Sequence, residues 1–81
     1  MMLITTYELL RADEPHIAYK HSLRLDILRF LSEGFSQKEI SERLNIPINS
    51  IENHVLGMRL TLSAKNTAHL IAIALRKGII K

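Results

Sequence analysis

The 81-residue chain has neither cysteine nor tryptophan. Without cysteine there is no disulfide framework and no thiolate zinc site. Histidine does not fill the gap. His16, His21, His54 and His69 include no pair at i, i+4 spacing, so no metal site is expected. Aromatic residues make up 5% of the chain, namely Tyr7, Tyr19, Phe30 and Phe35, so the core has to be aliphatic. Long apolar runs are also missing. The longest, Leu70 to Leu75, is far shorter than the ~20 residues that cross a bilayer, and no membrane partner is expected. Met1 to Thr6 lacks the basic stretch before an apolar stretch that marks a signal peptide. Internal repeats and low-complexity segments are absent as well. The length admits one small domain with one core, too little for a dinucleotide fold with a substrate domain or for a barrel enzyme. No nucleophile–base pair, paired carboxylates or phosphate-cradling glycine loop can be picked out, so neither catalysis nor a cofactor is expected. These absences leave a soluble, cytoplasmic domain as the expectation.

Charge is unevenly spread. The formal net charge is +3, but residues 1–44 sum to −1 and residues 45–81 to +4. A basic C-terminal half suits an anionic partner such as DNA, and it also suits plain solubility.

The periodicity is helical throughout, with no convincing strand alternation. A first helix is expected over Ser22–Ser32, where Leu23, Ile27, Phe30 and Leu31 recur at i, i+4, i+7, i+8 and Gly34 follows as a left-handed stop. A second, Ser36–Leu44, opens on Ser36-Gln37-Lys38-Glu39, a capping box. Asn45-Ile46-Pro47 breaks the chain. A third helix starts near Ile48–Ser50 and reaches Thr61. On a wheel of ~100° per residue, Ile51, His54, Val55, Met58 and Leu62 share one face. Asn49, Asn53, Leu56, Gly57 and Leu60 lie opposite, with Glu52 and Arg59 on the flank. A fourth helix is expected over Thr67–Lys77, capped by Asn66 or Thr67, closed by Gly78, and apolar around most of its circumference. Such an arc exceeds the ~100° needed to cover a small core. Its surplus face, Ala68, Ile71, Ala72 and Leu75, fits a second copy of the chain; the alternative is cover by the N-terminal segment. In that segment Thr5-Thr6-Tyr7-Glu8 repeats the capping-box pattern, suggesting two helical turns to Ala12 ended by Asp13-Glu14-Pro15; a disordered arm is the other reading.

A short capped helix, a tight break and a longer helix with one polar face is the helix-turn-helix arrangement, an outline shared with generic three-helix bundles. The residues are more specific. Ile27-Leu28-Arg29-Phe30-Leu31-Ser32-Glu33-Gly34-Phe35-Ser36-Gln37-Lys38-Glu39-Ile40-Ser41-Glu42-Arg43-Leu44-Asn45-Ile46 resembles the LuxR/GerE-type helix-turn-helix family, which reads approximately VLxLLAxGxSNKEIAxxLxIS. The likeness continues through Ser50-Ile51-Glu52-Asn53-His54, where the family has TVKxH, and through Met58 and Leu62 at its IxxKL spacing. It ends at Ala72-Ile73-Ala74-Leu75-Arg76-Lys77-Gly78-Ile79-Ile80, like the family's closing AxxxGLI. The resemblance implies an all-α, four-helix domain over residues 21–81, preceded by an arm or short helix over residues 1–20. It further implies that the third helix enters the major groove of double-stranded DNA and that the fourth mediates dimerisation.

Departures from the family pattern bear on function. Where the family has LTxRE, this chain has Lys20-His21-Ser22-Leu23-Arg24, so the acidic residue has become Arg24. Glu52 stands where lysine is frequent, and Leu56, Leu60 and Thr61 occupy positions often basic or polar. Pro47 replaces the serine that caps the third helix, so Asn49 or Ser50 is expected to take over its first-turn amides. Two functions fit. In the first, Asn53 pairs with adenine, Glu52 accepts from cytosine and Leu56 touches a thymine methyl. Ser36, Gln37 and Lys38 then hold phosphates, Ser50, Arg59 and Lys65 add backbone contacts, Asn49 joins the reading face, and Gly57 allows close approach of another surface. In the second, Leu56 and Leu60 dock on another transcription regulator, with Glu52 repelling phosphate. His54, on the inner face, reads as a packing residue, and His69 flanks the surplus face of the fourth helix. With no room for a receiver or ligand-binding domain in these 81 residues, regulation is expected to act through expression level, a partner or the N-terminal segment.

Overall fold

The structure, a computed structural model, describes residues 15–81, with side chains from Ser22 onward. The short helix expected at Thr5–Ala12 lies outside the described residues. Four helices follow in chain order: α1 (Pro15–Ser32), α2 (Gln37–Leu44), α3 (Ile48–Thr61) and α4 (Thr67–Arg76). Among the described residues there is no strand, and the fold is all-α.

The starts and stops follow local chemistry. α1 begins at Pro15, seven residues before the start expected from periodicity, and runs across the 20/21 boundary. The proline read as a terminator instead occupies the first helical position. There its missing N–H costs no hydrogen bond and its fixed φ already suits the helix. Gly34 then turns the chain at φ 95°, a left-handed conformation that glycine adopts without a Cβ clash. α2 opens on a complete capping box: the Glu39 N–H donates to Ser36 Oγ at 3.1 Å and the Ser36 N–H to Glu39 Oε1 at 3.0 Å. Asn45 ends it at φ 54°. α3 departs from expectation at its start. Pro47 holds the N-cap without a side-chain cap bond, and neither Asn49 nor Ser50 supplies one among the described hydrogen bonds. The first turn is closed by the backbone, with the Ser50 N–H donating to the Pro47 carbonyl at 2.9 Å. At α4 the cap is Asn66, whose Oδ1 accepts from the His69 N–H at 2.8 Å, and Gly78 follows at φ 71°.

One aliphatic core joins these elements. α1 contributes Ile27, Leu28 and Leu31, α2 contributes Ile40, and α3 contributes Ile51, Val55 and Met58 with Leu62 just beyond. α4 adds Leu70 and Ala74, and the tail returns Ile79 and Ile80. α1 packs against each of the other three helices. The two described aromatics staple the α1–α2 turn. Phe30 and Phe35 meet edge to face at 5.4 Å, and the Arg43 guanidinium lies 4.4 Å from the Phe35 ring centre, geometries favoured by the ring quadrupole.

Met58 is fully buried at the centre of this core, so Met58→Ala is expected to cost about 2–5 kcal/mol in urea unfolding. The capping box has a pH signature. The Ser36 N–H, the Ser36 hydroxyl and nearby Arg43 hold the Glu39 carboxyl below its usual value. A depressed folded-state pKa gives stability that is present above the unfolded pKa and lost as pH falls through the folded one. Glu39→Gln should therefore flatten the acid side of the stability–pH curve, measured by urea titration at several pH values.

Candidate nucleic-acid interface

The α2–α3 turn sets the angle at which α3 leaves the core. Asn45 in the left-handed region donates its N–H to the Ser41 carbonyl, which also accepts from the Ile46 N–H at 3.1 Å. The Ser41 hydroxyl donates to the Ile46 carbonyl at 2.5 Å. Ser41 thus ties the turn through both backbone and side chain. Sequence reading did not single it out; its position four residues before the left-handed Asn45 is the local signal that could have.

From this turn α3 buries Ile51, Val55 and Met58, which leaves the opposite side outward. Asn49, Glu52, Asn53, Leu56 and Leu60 are all exposed, Leu56 by 49% and Leu60 by 72%. The side chains expected to read base edges therefore share one solvent-facing surface. Ser36 and Lys38 are exposed at the start of α2, beside half-buried Gln37. The Ser36 hydroxyl is already the acceptor of the capping box.

Other expected contact residues are engaged within the chain. Arg59 is half-buried and turns toward the α3–α4 loop, where its Nη2 donates to the Lys65 carbonyl at 3.0 Å. Its Nε is buried without a hydrogen-bond partner. The Lys65 side chain is exposed, while its N–H donates to His69 Nδ1 at 3.0 Å. Together Arg59, His69 and Asn66 hold the loop in which Ser63 takes the left-handed φ of 55°. His69 thus has a local loop-holding role.

Gly57 has a neighbour that the sequence did not reveal. A Cβ at this position would lie 3.0 Å from Arg24 Nη2 and 3.7 Å from Arg24 Cζ. The surface closely approaching Gly57 is the chain's own guanidinium, brought from α1. Arg24 Nε also donates to His54 Nδ1 at 3.3 Å. His54, expected in the core, is half-buried at its edge. Partial burial lowers the Arg24 pKa from its ordinary value, yet a guanidinium remains charged in proteins. On the wheel, Ser50, His54, Gly57 and Thr61 form one flank of α3, next to the outward face. Arg24 covers the middle of that flank. On α4, Leu70 and Ala74 point into the core, while Ala68 and Leu75 are exposed and Ile71 and Ala72 half-buried. No group of three or more metal-ligating side chains occurs among the described residues, and no helix among them is long and apolar enough to cross a membrane.

Comparison with known proteins agrees with this geometry. Residues 24–74 match the family model described as bacterial regulatory proteins, luxR family, which covers more than half of the chain. Similar relatives include the oxygen regulatory protein NreC of Staphylococcus aureus strains JH9, USA300 and NCTC 8325, each 30% identical over 57 residues, or 70% of this chain. The chain spans about a quarter of the length of these relatives, 26% of each. No solved structure matches it.

The two kinds of α3 residue should respond differently to substitution. Leu60→Ser, on the outward face, is expected to change unfolding free energy by less than about 0.5 kcal/mol. Arg59→Met, which removes the bond to the Lys65 carbonyl, should cost about 0.5–1.5 kcal/mol and speed hydrogen exchange at the loop amides. Urea unfolding and amide exchange measure both.

Proposed function

The chain belongs to the luxR family of bacterial regulatory proteins, and from that premise we propose that it is a sequence-specific transcriptional regulator that binds duplex DNA as a homodimer. Its fold is the helix-turn-helix DNA-binding domain of this family, which is not catalytic. One observation carries the finer reading: burial of Ile51, Val55 and Met58 turns Asn49, Glu52, Asn53 and Leu56 outward as one surface. A helix of ~10–12 Å diameter fills a major groove of similar width. Asn53 is then the candidate adenine reader, Glu52 the cytosine acceptor and Leu56 the thymine-methyl contact. Ser36, Gln37, Lys38, Ser50 and Lys65 are candidates for the phosphate backbone. The stripe Ala68, Ile71, Ala72 and Leu75, with Leu75 48% exposed, suits a two-fold contact between copies. A dimer so joined matches a pseudo-palindromic site.

A second reading rests on exposed Leu56 and Leu60 with acidic Glu52 between them and the α3 start. In this reading the apolar, phosphate-repelling strip receives another regulator's helix, and the chain is an anti-regulator. Selection from a random duplex pool, followed by affinity measurements across a salt series, decides between them. The DNA reading expects an enriched motif and a negative log–log salt slope of about 0.9 per phosphate contact. A pool without enrichment and a flat slope would favour the partner reading. Asn53→Ala should cost about 1–3 kcal/mol and relax preference at one base pair. Leu75→Glu should leave the fold intact and shift light scattering from dimer to monomer; a wild-type chain that stays monomeric at high concentration removes the homodimer.

A further inference from the structure

We infer that Arg24 is a phosphate-binding residue of the nucleic-acid interface, presented through the gap at Gly57 and held there by His54. The inference rests on the DNA-binding reading above and adds a contact from outside the helix-turn-helix itself.

Three observations support it. The first is the charge of α3. Its outward face carries Glu52 and no cation, and its one arginine, Arg59, is committed to the Lys65 carbonyl. A helix so composed lacks the electrostatic attraction that supplies most non-specific DNA affinity. The second is position. The Arg24 guanidinium lies against Gly57 and bonds His54, on the flank of α3 that adjoins the outward face. When a helix occupies the major groove, its centre meets base edges and its flanks meet the backbones bordering the groove. The third is the glycine. Mid-helix glycine costs ~1 kcal/mol against alanine, and here its missing Cβ is the space that Arg24 occupies. His54 takes one N–H of the guanidinium through Nε. That leaves the terminal nitrogens of a five-donor group to meet phosphate oxygens, the geometry in which arginine binds them bidentately.

The reach across elements also fits the departure from the family pattern. An acidic residue at the Arg24 position would repel a phosphate. An arginine there restores the positive charge that Glu52, Leu56 and Leu60 withhold from α3.

The test uses the full chain and the duplex recovered by selection. Wild type, Arg24→Gln, Arg24→Lys and Gly57→Ala are compared by fluorescence anisotropy across a salt series, with circular dichroism to follow folding. Arg24→Gln should flatten the log–log salt slope by about 0.9 for each bound chain. It should also weaken binding by a similar factor on every duplex sequence, since a phosphate contact carries no base preference. Arg24→Lys should restore the slope. Gly57→Ala should keep the slope while lowering affinity, because the charge remains but its seat is displaced. A folded Arg24→Gln variant with the wild-type slope overturns the proposal. If Arg24→Gln does not fold, single methylphosphonate substitutions along the duplex decide with the wild type and Gly57→Ala, whose added Cβ displaces the guanidinium. A flanking phosphate whose neutralisation weakens wild type more than Gly57→Ala supports the contact, and equal losses at every position overturn it. Wild type without salt-dependent duplex binding removes the DNA reading itself, and the Arg24 contact with it.

Discussion

The structure depends on the burial of one face of α3. Ile51, Val55, Met58 and Leu62 are the side chains through which this helix joins the core. Each fully buried aliphatic side chain contributes on the order of 1.5–3 kcal/mol. A rotation that exposed them would also bring Glu52 and Asn53, exposed as they stand, into an aliphatic core at the cost of their hydration. Helix orientation is thereby set by what cannot be exposed, and the outward surface follows as its complement. The turn before α3 adds the second restraint. Asn45 in the left-handed region and Ser41 bonded to both Asn45 and Ile46 fix where the helix begins, so rotation and entry angle are both determined within the chain.

The electrostatics of the surface come from several elements rather than from α3 alone. Counted along the sequence, the positive excess lies after residue 44, which points to the C-terminal half. In three dimensions the balance changes. Arg59 turns to the α3–α4 loop, and Arg76 and Lys77 are exposed at the end of α4. Among the described residues, Arg24, from the acidic half of the chain, stands beside the outward face of α3. Packing α1 against α3 moves charge across the sequence to the flank where a phosphate would lie. The two adjustments, an arginine on α1 and a glycine on α3, form one steric unit: the first fills the space the second leaves.

The C-terminal helix shows the same economy. Its fully buried residues, Leu70 and Ala74, are one turn apart, and Ile71 and Ile73 pack partly buried against the core beside them. The rest of its apolar circumference is partly or wholly outward, which is why a helix so apolar ends with Leu75 half exposed. The small side chains Ala68 and Ala72 flank Ile71 there and allow a close approach by another surface.

Much of this was legible from local pattern. The capping box at Ser36 and Glu39, the left-handed stops at Gly34, Asn45 and Gly78, and the inward positions of α3 each depend on a few neighbouring residues. Periodicity and backbone stereochemistry are sufficient to read them. The start of α1 was misread because proline both ends a helix and opens one, and sequence alone did not say which. The Pro47 entry was misread because a backbone-closed first turn leaves no side-chain signature. The pairing of Arg24 with Gly57 and His54, and the commitment of Arg59 to the loop, were invisible for a different reason. They join residues that are distant in sequence or that face away from the expected partner, and only packing decides which side chain reaches which. The sequence by itself determined the helices, their stops and the family. The tertiary structure alone decided which charges stand beside the exposed face of α3, because charge position there follows from how α1 crosses α3, and no local pattern encodes that crossing.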